Sequence, residues 1–493
     1  MPKPKHVIVI GAGVGGLATA MRLAGRGAQV TVFEAQPTPG GKMRTLPTIA
    51  GPVDAGPTVF TMKWVFDDLF AACGESLADH VTLTQAETIA RHFWPDGTML
   101  DLSHDATVSA ANLRQEFGDR SAREFDLFCK RAQTLFDAFD APMMRSTAPS
   151  TLGMTGTVLR QPSLIGAMAP HKTLAQLLQA SFSEPKLRQL FGRYATYVGG
   201  SPYGSPALLS LIWHAERSGV WAVKGGIHQL ACAMEKVAAA KGVVFHYDSP
   251  VTGITPDDNG VSVTVGGQTH HGDCAVFNGD PRAISEGLMG AKARTSVANS
   301  ASNPRSLSAC VYAFAAEPSR TDLSHHNVFF GDDPRSEFDP IKAGQLPTDP
   351  TLYVCAQDRG GGHQTDGAER FEIIMNAPPS TKAHQRQPER IAQCQTLILD
   401  QLARMGLTFS PVPTAAALTL PEDFDRLFPA SQGSLYGRSP HGMTAAMKRP
   451  TARTLIKGLY LAGGGAHPGA GVPMATLSGL HAAEAIRTDL GLT

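Results

Sequence analysis

Residues 6–23 read HVIVIGAGVGGLATAMRL, and the order of features in this stretch decides the fold. The apolar, β-branched run 6–10 is the pattern of a strand buried on both faces of a parallel sheet. Gly11, Gly13 and Gly16 follow as G-x-G-x-x-G, with Gly15 inside the motif. Gly11 permits the tight turn, Gly13 lets a pyrophosphate reach the backbone, and Gly16 lets the next helix pack on the strand. Residues 17–24 predict that helix, Gly27 ends it, and residues 29–34 (QVTVFE) predict a second strand. Glu34 stands 18 residues after Gly16, where a carboxylate binds ribose hydroxyls. Strand, glycines, helix, strand and acid in this order specify a dinucleotide site. They leave open which dinucleotide it is.

A second glycine loop lies at the other end of the chain, LYLAGGGAHPGAGVPMATLSG at residues 459–479. Its Gly464, Gly465 and Gly471, with Val472 and Pro473, offer backbone N–H donors and a helix start with no side chain in the way. Two such loops at opposite ends imply that both close around one cofactor.

A chain of 493 residues exceeds one hydrophobic core, so two or more domains are expected. Lys+Arg and Asp+Glu both number 43, which leaves no basic footprint for nucleic acid. Seven cysteines without a C-x-x-C pair predict reduced thiols and a cytoplasmic protein. Met1-Pro-Lys-Pro-Lys-His leads straight into the first strand, which predicts no cleavable leader. No run of 18 apolar residues occurs, so no spanning helix is expected.

The patterning divides the chain into interleaved parts. Residues 1–88, 215–285 and 427–493 form a discontinuous dinucleotide-binding domain. Residues 89–104 and 286–426 form a sheet domain. It begins with a hairpin turning at Asp96-Gly97 and continues in strand-like runs at 307–316, 327–331, 351–356 and 371–377. Residues 105–214 form a largely helical insertion, and 387–405 predicts a further helix.

Several stretches resemble one superfamily. PGGKMR at 39–44 and GPVDAGPT at 51–58 are similar to the E-x5-GG-x-x-R and D-x-G-P-T segments of the amine oxidase and phytoene desaturase flavoproteins. HHNVFFGDD at 325–333, Arg449-Pro450 and GGGAHPGAGVP at 463–473 resemble the carotenoid desaturase branch. The tail Met474-Ala-Thr-Leu-Ser478-Gly479 resembles the 1-hydroxycarotenoid 3,4-desaturases of purple photosynthetic bacteria. The resemblance covers nearly the whole chain. It implies an α/β fold: a Rossmann-like FAD-binding domain, an antiparallel-sheet (α+β) substrate domain and a helical insertion. It also implies FAD as cofactor, with Gly40, Gly41, Lys42, Pro57 and Thr58 along it. Arg44 would pair with a phosphate, Val251 would lie beside the adenine, and Asn278 would sit at the exit of that segment.

The implied reaction desaturates the C3–C4 bond of a 1-hydroxy or 1-methoxy acyclic carotenoid by hydride transfer to flavin N5 and loss of the neighbouring proton. Phytoene desaturation and isomerisation with reduced FAD are the alternatives; an amine or porphyrinogen oxidase is more distant. His467 and Arg160 are the candidate catalytic residues. His467 could act at the flavin or only brace its loop, and Arg160 stands in a D-x-x-R-like segment whose acid position is Thr157. No metal is expected, because adjacent histidines such as His325-His326 in a strand point to opposite faces. Residues 141–182, rich in Met and Leu, fit either a membrane-surface contact with a tunnel mouth or an ordinary helical core. The expected partners are a carotenoid, the inner or photosynthetic membrane surface, and dioxygen or a quinone as electron acceptor.

Overall fold

The computed structural model describes residues 4–361, 367–380 and 387–492. A five-stranded sheet forms from β1 (His6–Ile10), β2 (Gln29–Phe33), β3 (Val244–His246), β4 (Cys274–Phe277) and β5 (Leu459–Leu461). Its order is β5-β4-β1-β2-β3, and every neighbouring pair is parallel. The chain therefore returns to this sheet from three separate stretches. β1 shows why its sequence is apolar throughout: Val7 and Val9 enter one core, while Ile8 and Ile10 enter the core on the opposite face.

The first face is covered by α1 (Val14–Ala24), α2 (His228–Ala240) and α3 (Val472–Leu490). The second is covered by an antiparallel meander, Val251–Asp257, Gly260–Val265 and Gln268–Gly272. α1 starts at Val14 rather than at residue 17, because Gly15 and Gly16 already belong to its first turn.

α1 and α3 approach at backbone distance. A Cβ on Gly479 would lie 2.2 Å from the Gly15 carbonyl oxygen, and Thr19 Oγ1 bridges the Gly15 and Gly479 carbonyls at 2.8 and 3.0 Å. Gly479→Ala is accordingly expected to lower stability by about 2 kcal/mol or more, since backbone cannot retreat as a side-chain tip can. A thermal melt checks it; an unchanged Tm would mean that the two helices separate freely.

The second sheet runs in the order Phe409–Ser410, Ser308–Pro318, Glu369–Ala377, Leu352–Ala356, His326–Phe329, Thr88–Phe93, Met99–Ser103. All its pairings are antiparallel except that of His326–Phe329 with Thr88–Phe93. The last two strands are the hairpin turning at Asp96-Gly97, with Gly97 at φ 89°. Pro388–Arg404 packs on this sheet through Cys394, Ile398 and Leu402.

The helical insertion opens with Ala106–Phe139, broken at Gly118 by φ 83°. Its core, including Phe125, Phe191 and Trp213, continues onto Trp94, Val328 and Phe330 of the second sheet. Among the described residues no helix is long and apolar enough to cross a membrane.

Candidate active site

The two glycine loops meet. A Cβ on Gly15 would lie 2.6 Å from the Gly463 backbone nitrogen and 2.8 Å from Asn278 Oδ1. Asn278, just after β4, wedges between the loops, and its Nδ2 donates to the carbonyls of Gly11 at 3.1 Å and Gly13 at 3.3 Å. Gly16 has the packing role its motif predicts, since a Cβ there would lie 2.1 Å from the Gly11 oxygen. Gly40 donates to the Ala12 carbonyl at 2.9 Å, and a Cβ on Gly41 would lie 3.1 Å from Gly13 Cα. The Gly40-Gly41 pair thus closes the first loop from its other side.

Both helices that leave these loops start without a side-chain cap. Gly13 precedes α1 and Gly471 precedes α3, and neither first turn holds an acid. Such ends leave N–H groups and the positive end of the dipole free for a phosphate or an electron-rich ring edge. At Gly471 an added Cβ would meet nothing within 4 Å, so open space adjoins the start of α3. An uncapped, Cβ-free slot with a ribose-type acid beside it fits a flavin dinucleotide.

That acid is Glu34. It is buried at the end of β2, and its Oε2 accepts from the Ala12 N–H at 2.5 Å and its Oε1 from the Gln36 N–H at 2.8 Å. Burial pushes its carboxyl above the usual range, and the backbone donors pull the other way. Val251 begins the meander just after Ser249, whose N–H donates to the Glu34 carbonyl at 2.8 Å. Glu34→Ala is expected to weaken FAD by about 1–3 kcal/mol through lost charge-assisted hydrogen bonds. Titration with FAD checks it; unchanged affinity would take Glu34 away from the ribose.

Lys42 is half-buried, and its Nζ donates to the Leu435 carbonyl at 2.6 Å. Burial brings its ammonium down to about 8, against the opposing pull of Asp280. Arg44 is engaged by protein groups away from the glycine loops. Pairing of Thr45–Leu46 with Val53–Asp54 turns it toward the second sheet, where its guanidinium donates to Thr419 Oγ1 at 2.6 Å and lies over the Phe424 ring. Pro57 and Thr58 line an apolar cavity of about 410 Å3 together with residues 468–474. Thr58 Oγ1 shares a 2.7 Å hydrogen bond with the Tyr353 hydroxyl.

His467 is buried beneath the loop and does not line this cavity. Its Nε2 pairs with the Ser146 carbonyl at 2.9 Å, its N–H donates to the Pro450 carbonyl at 2.8 Å, and its ring stacks on His481. Burial first of all lowers its pKa. This geometry braces the glycine loop against the helical insertion. Arg160 lies exposed at the end of the helix Thr151–Arg160 and outside the cavity, because the segment that carries it runs along the surface.

The strand argument against a metal needs correction. His325 precedes the strand His326–Phe329, and the two rings meet edge to face with centroids 4.3 Å apart. Donor atoms of His325, His326 and Cys355 fall within 4.8 Å of one another. In the structure His325 Nδ1 is paired with the Ala356 carbonyl and His326 Nδ1 with the Tyr353 hydroxyl.

Three functional positions were missed. Arg449 donates to the carbonyls of Gly464 at 2.8 Å, Tyr436 at 2.7 Å and Arg438 at 2.9 Å, and so fixes the second loop. Asp280 caps the helix Pro281–Ser285 and pairs with Arg305; Gly465 packs on this helix so closely that a Cβ would lie 2.3 Å from Pro281 Cδ. Glu372 is fully buried with both carboxylate oxygens unpartnered, and burial, then Asp54, pushes it well above the usual range. An arginine-proline pair ahead of a glycine loop is the one sequence signal that pointed to any of these.

The chain matches the model of the flavin containing amine oxidoreductases over residues 14–487. It is 53% identical to the hydroxyneurosporene desaturase of Cereibacter sphaeroides, over 98% of this chain and 98% of that protein. It is 49% identical to the hydroxyneurosporene desaturase of Rhodobacter capsulatus, over 99% of each. Among solved structures, cyclohexylamine oxidase from Brevibacterium oxydans aligns with a TM-score of 0.61 at 18% identity, over 99% of this chain and 100% of that one. That likeness concerns the fold.

Proposed function

The chain belongs to the flavin-containing amine oxidoreductase family, and from that premise we propose that it forms the C3–C4 double bond of an acyclic carotenoid bearing an oxygen at C1. FAD is its cofactor and carotenoid desaturation its reaction; the proposal adds the bond and the substrate's end group. The observation that carries it is the cavity beside Gly471, lined mostly by apolar residues with Met and Pro foremost, as a polyene requires.

When bound, FAD accepts a hydride at flavin N5. The C3–C4 bond ends a conjugated chain that spreads positive charge, so the adjacent proton leaves readily. The protein's part is to hold one carbon pair against the ring and keep water away. Gly464, Gly465, Gly471, Val472 and Pro473 shape the ring's seat, and Arg449 and His467 hold that loop still. Pro57 and Thr58 form the facing wall. Glu372, whose carboxyl burial pushes well above the usual range, lies near Thr58.

The substrate comes from a bilayer. The helices Thr151–Arg160 and Ser163–Met168 expose Leu152, Leu159 and Ile165, while Met154 between them lines the cavity. This surface docks on the cytoplasmic face of the inner or photosynthetic membrane. By contrast Leu164, Leu174, Leu177 and Leu178 are buried and serve as ordinary core. Returning the cofactor to its oxidised state would require an electron acceptor, a bilayer quinone or dioxygen. Flotation with liposomes tests the docking, and protein left at the bottom of the gradient would contradict it.

The test of function is product analysis with FAD-loaded protein and liposomes carrying 1-hydroxyneurosporene. The expected product is two hydrogens lighter, with a red-shifted polyene spectrum. Product of unchanged mass would make the protein an isomerase, and reaction with phytoene alone would move it to an earlier desaturation.

A further inference from the structure

A second cavity, of about 500 Å3, lies behind the apolar one, and its lining includes the charged residues Asp96, Lys186 and Asp332. The two cavities share a wall made of Arg193, Thr196, Thr351 and Asn376. A substrate that enters past Met154 thus travels from apolar surroundings toward a polar end.

Arg193 is the outstanding group in that wall. It is only 8% exposed, and its Nη1 donates to the Tyr197 hydroxyl at 3.0 Å. Its Nη2 stands 3.9 Å from Glu216 Oε1, which balances the charge; Nε and Nη2 have no hydrogen-bond partner and lie closed off just under the cavity wall, so an acceptor reaches them only as the guanidinium turns. Buried N–H donors without partners are costly and call for an acceptor. An apolar chain supplies none along its length; an oxygen at its end does.

We infer that Arg193 is the specificity residue that receives the C1 oxygen of the carotenoid, which sets C3–C4 over the flavin. This rests on the desaturase reading above. The oxygen lies three bonds from C3, so a donor in the wall of the flavin cavity holds the reacting carbons within that cavity. The rest of the polyene stays in the apolar arm, because the second cavity mixes charged side chains among its apolar ones and suits it less. Hydroxyl and methoxyl oxygens both accept, so both end groups bind; a hydrocarbon end leaves the guanidinium orphaned and is rejected.

The experiment compares kcat/KM for 1-hydroxyneurosporene and neurosporene in liposomes, using FAD-loaded protein. The protein is expected to favour the oxygenated substrate, and Arg193→Met to reduce that ratio by about tenfold or more. Arg193→Lys, which keeps a donor, should restore part of it. Because a single change leaves Glu216 buried and unpaired, the double variant Arg193→Met/Glu216→Leu removes both charges together and should show the same loss of ratio. A ratio within about twofold of the parent's in a flavin-loaded variant overturns the assignment. Turnover of neither carotenoid by the parent protein overturns the desaturase reading itself, and this inference with it.

Discussion

Gly15→Val is expected to give protein without flavin. The added side chain would start 2.6 Å from the Gly463 nitrogen and 2.8 Å from Gly463 Cα, and both are backbone atoms. The two glycine loops could then no longer close on one cofactor. A loss of at least about a hundredfold in FAD affinity, about 3 kcal/mol, is the expected scale. Gly13→Ala offers the contrast. Its Cβ would meet the tip of the Asn278 side chain at 2.9 Å, a side-chain atom rather than backbone, so the apoprotein should fold at some cost in stability while the pyrophosphate loses its close approach. Flavin absorbance per protein, read beside a thermal melt, separates the two. Yellow, fully loaded Gly15→Val protein would show that the loops do not share the cofactor.

Arg449→Leu is the second large effect. Three carbonyls, on Gly464, Tyr436 and Arg438, would lose their donor inside the protein. At about 1–3 kcal/mol for each orphaned group, destabilisation of about 3–9 kcal/mol is expected, and the flavin loop loosens with it. Arg449→Lys keeps the charge but not the fork, and should recover only part of the loss. Denaturant unfolding of both variants checks this. Equal stability of the leucine variant and the parent would mean that water replaces the guanidinium at all three carbonyls.

The parts of the fold that were legible in the sequence are those encoded within a short window. β1, the glycine turn, α1 and β2 follow one another within 28 residues, from His6 to Phe33, and each constrains the next. The second loop carries its own signature, and the strands of the second sheet show as short apolar runs. The staples were not legible. Asn278 reaches Gly11 across 267 residues and Arg305 meets Asp280 across 25, and nothing in either local pattern names the partner. The placement of Arg160 was not legible for the same reason, since a motif position fixes a place along the chain and not the side of the helix that faces a cavity. His325 misled because strand alternation was applied one residue before the strand began. The polar wall at Arg193 draws on segments near 193, 351 and 376, and becomes a site only when the chain is folded. Gly479 lies between these cases: its position in the tail was visible, but its contact with Gly15 depends on how α3 crosses α1.

The measurement that bears most directly on the account is an anaerobic single turnover. Oxidised, FAD-loaded protein on liposomes meets 1-hydroxyneurosporene, and flavin absorbance is followed with the mass of the carotenoid. The expected result is bleaching of the flavin in step with loss of two hydrogens and a red shift of the polyene. Oxidised flavin that persists beside unaltered carotenoid would contradict it.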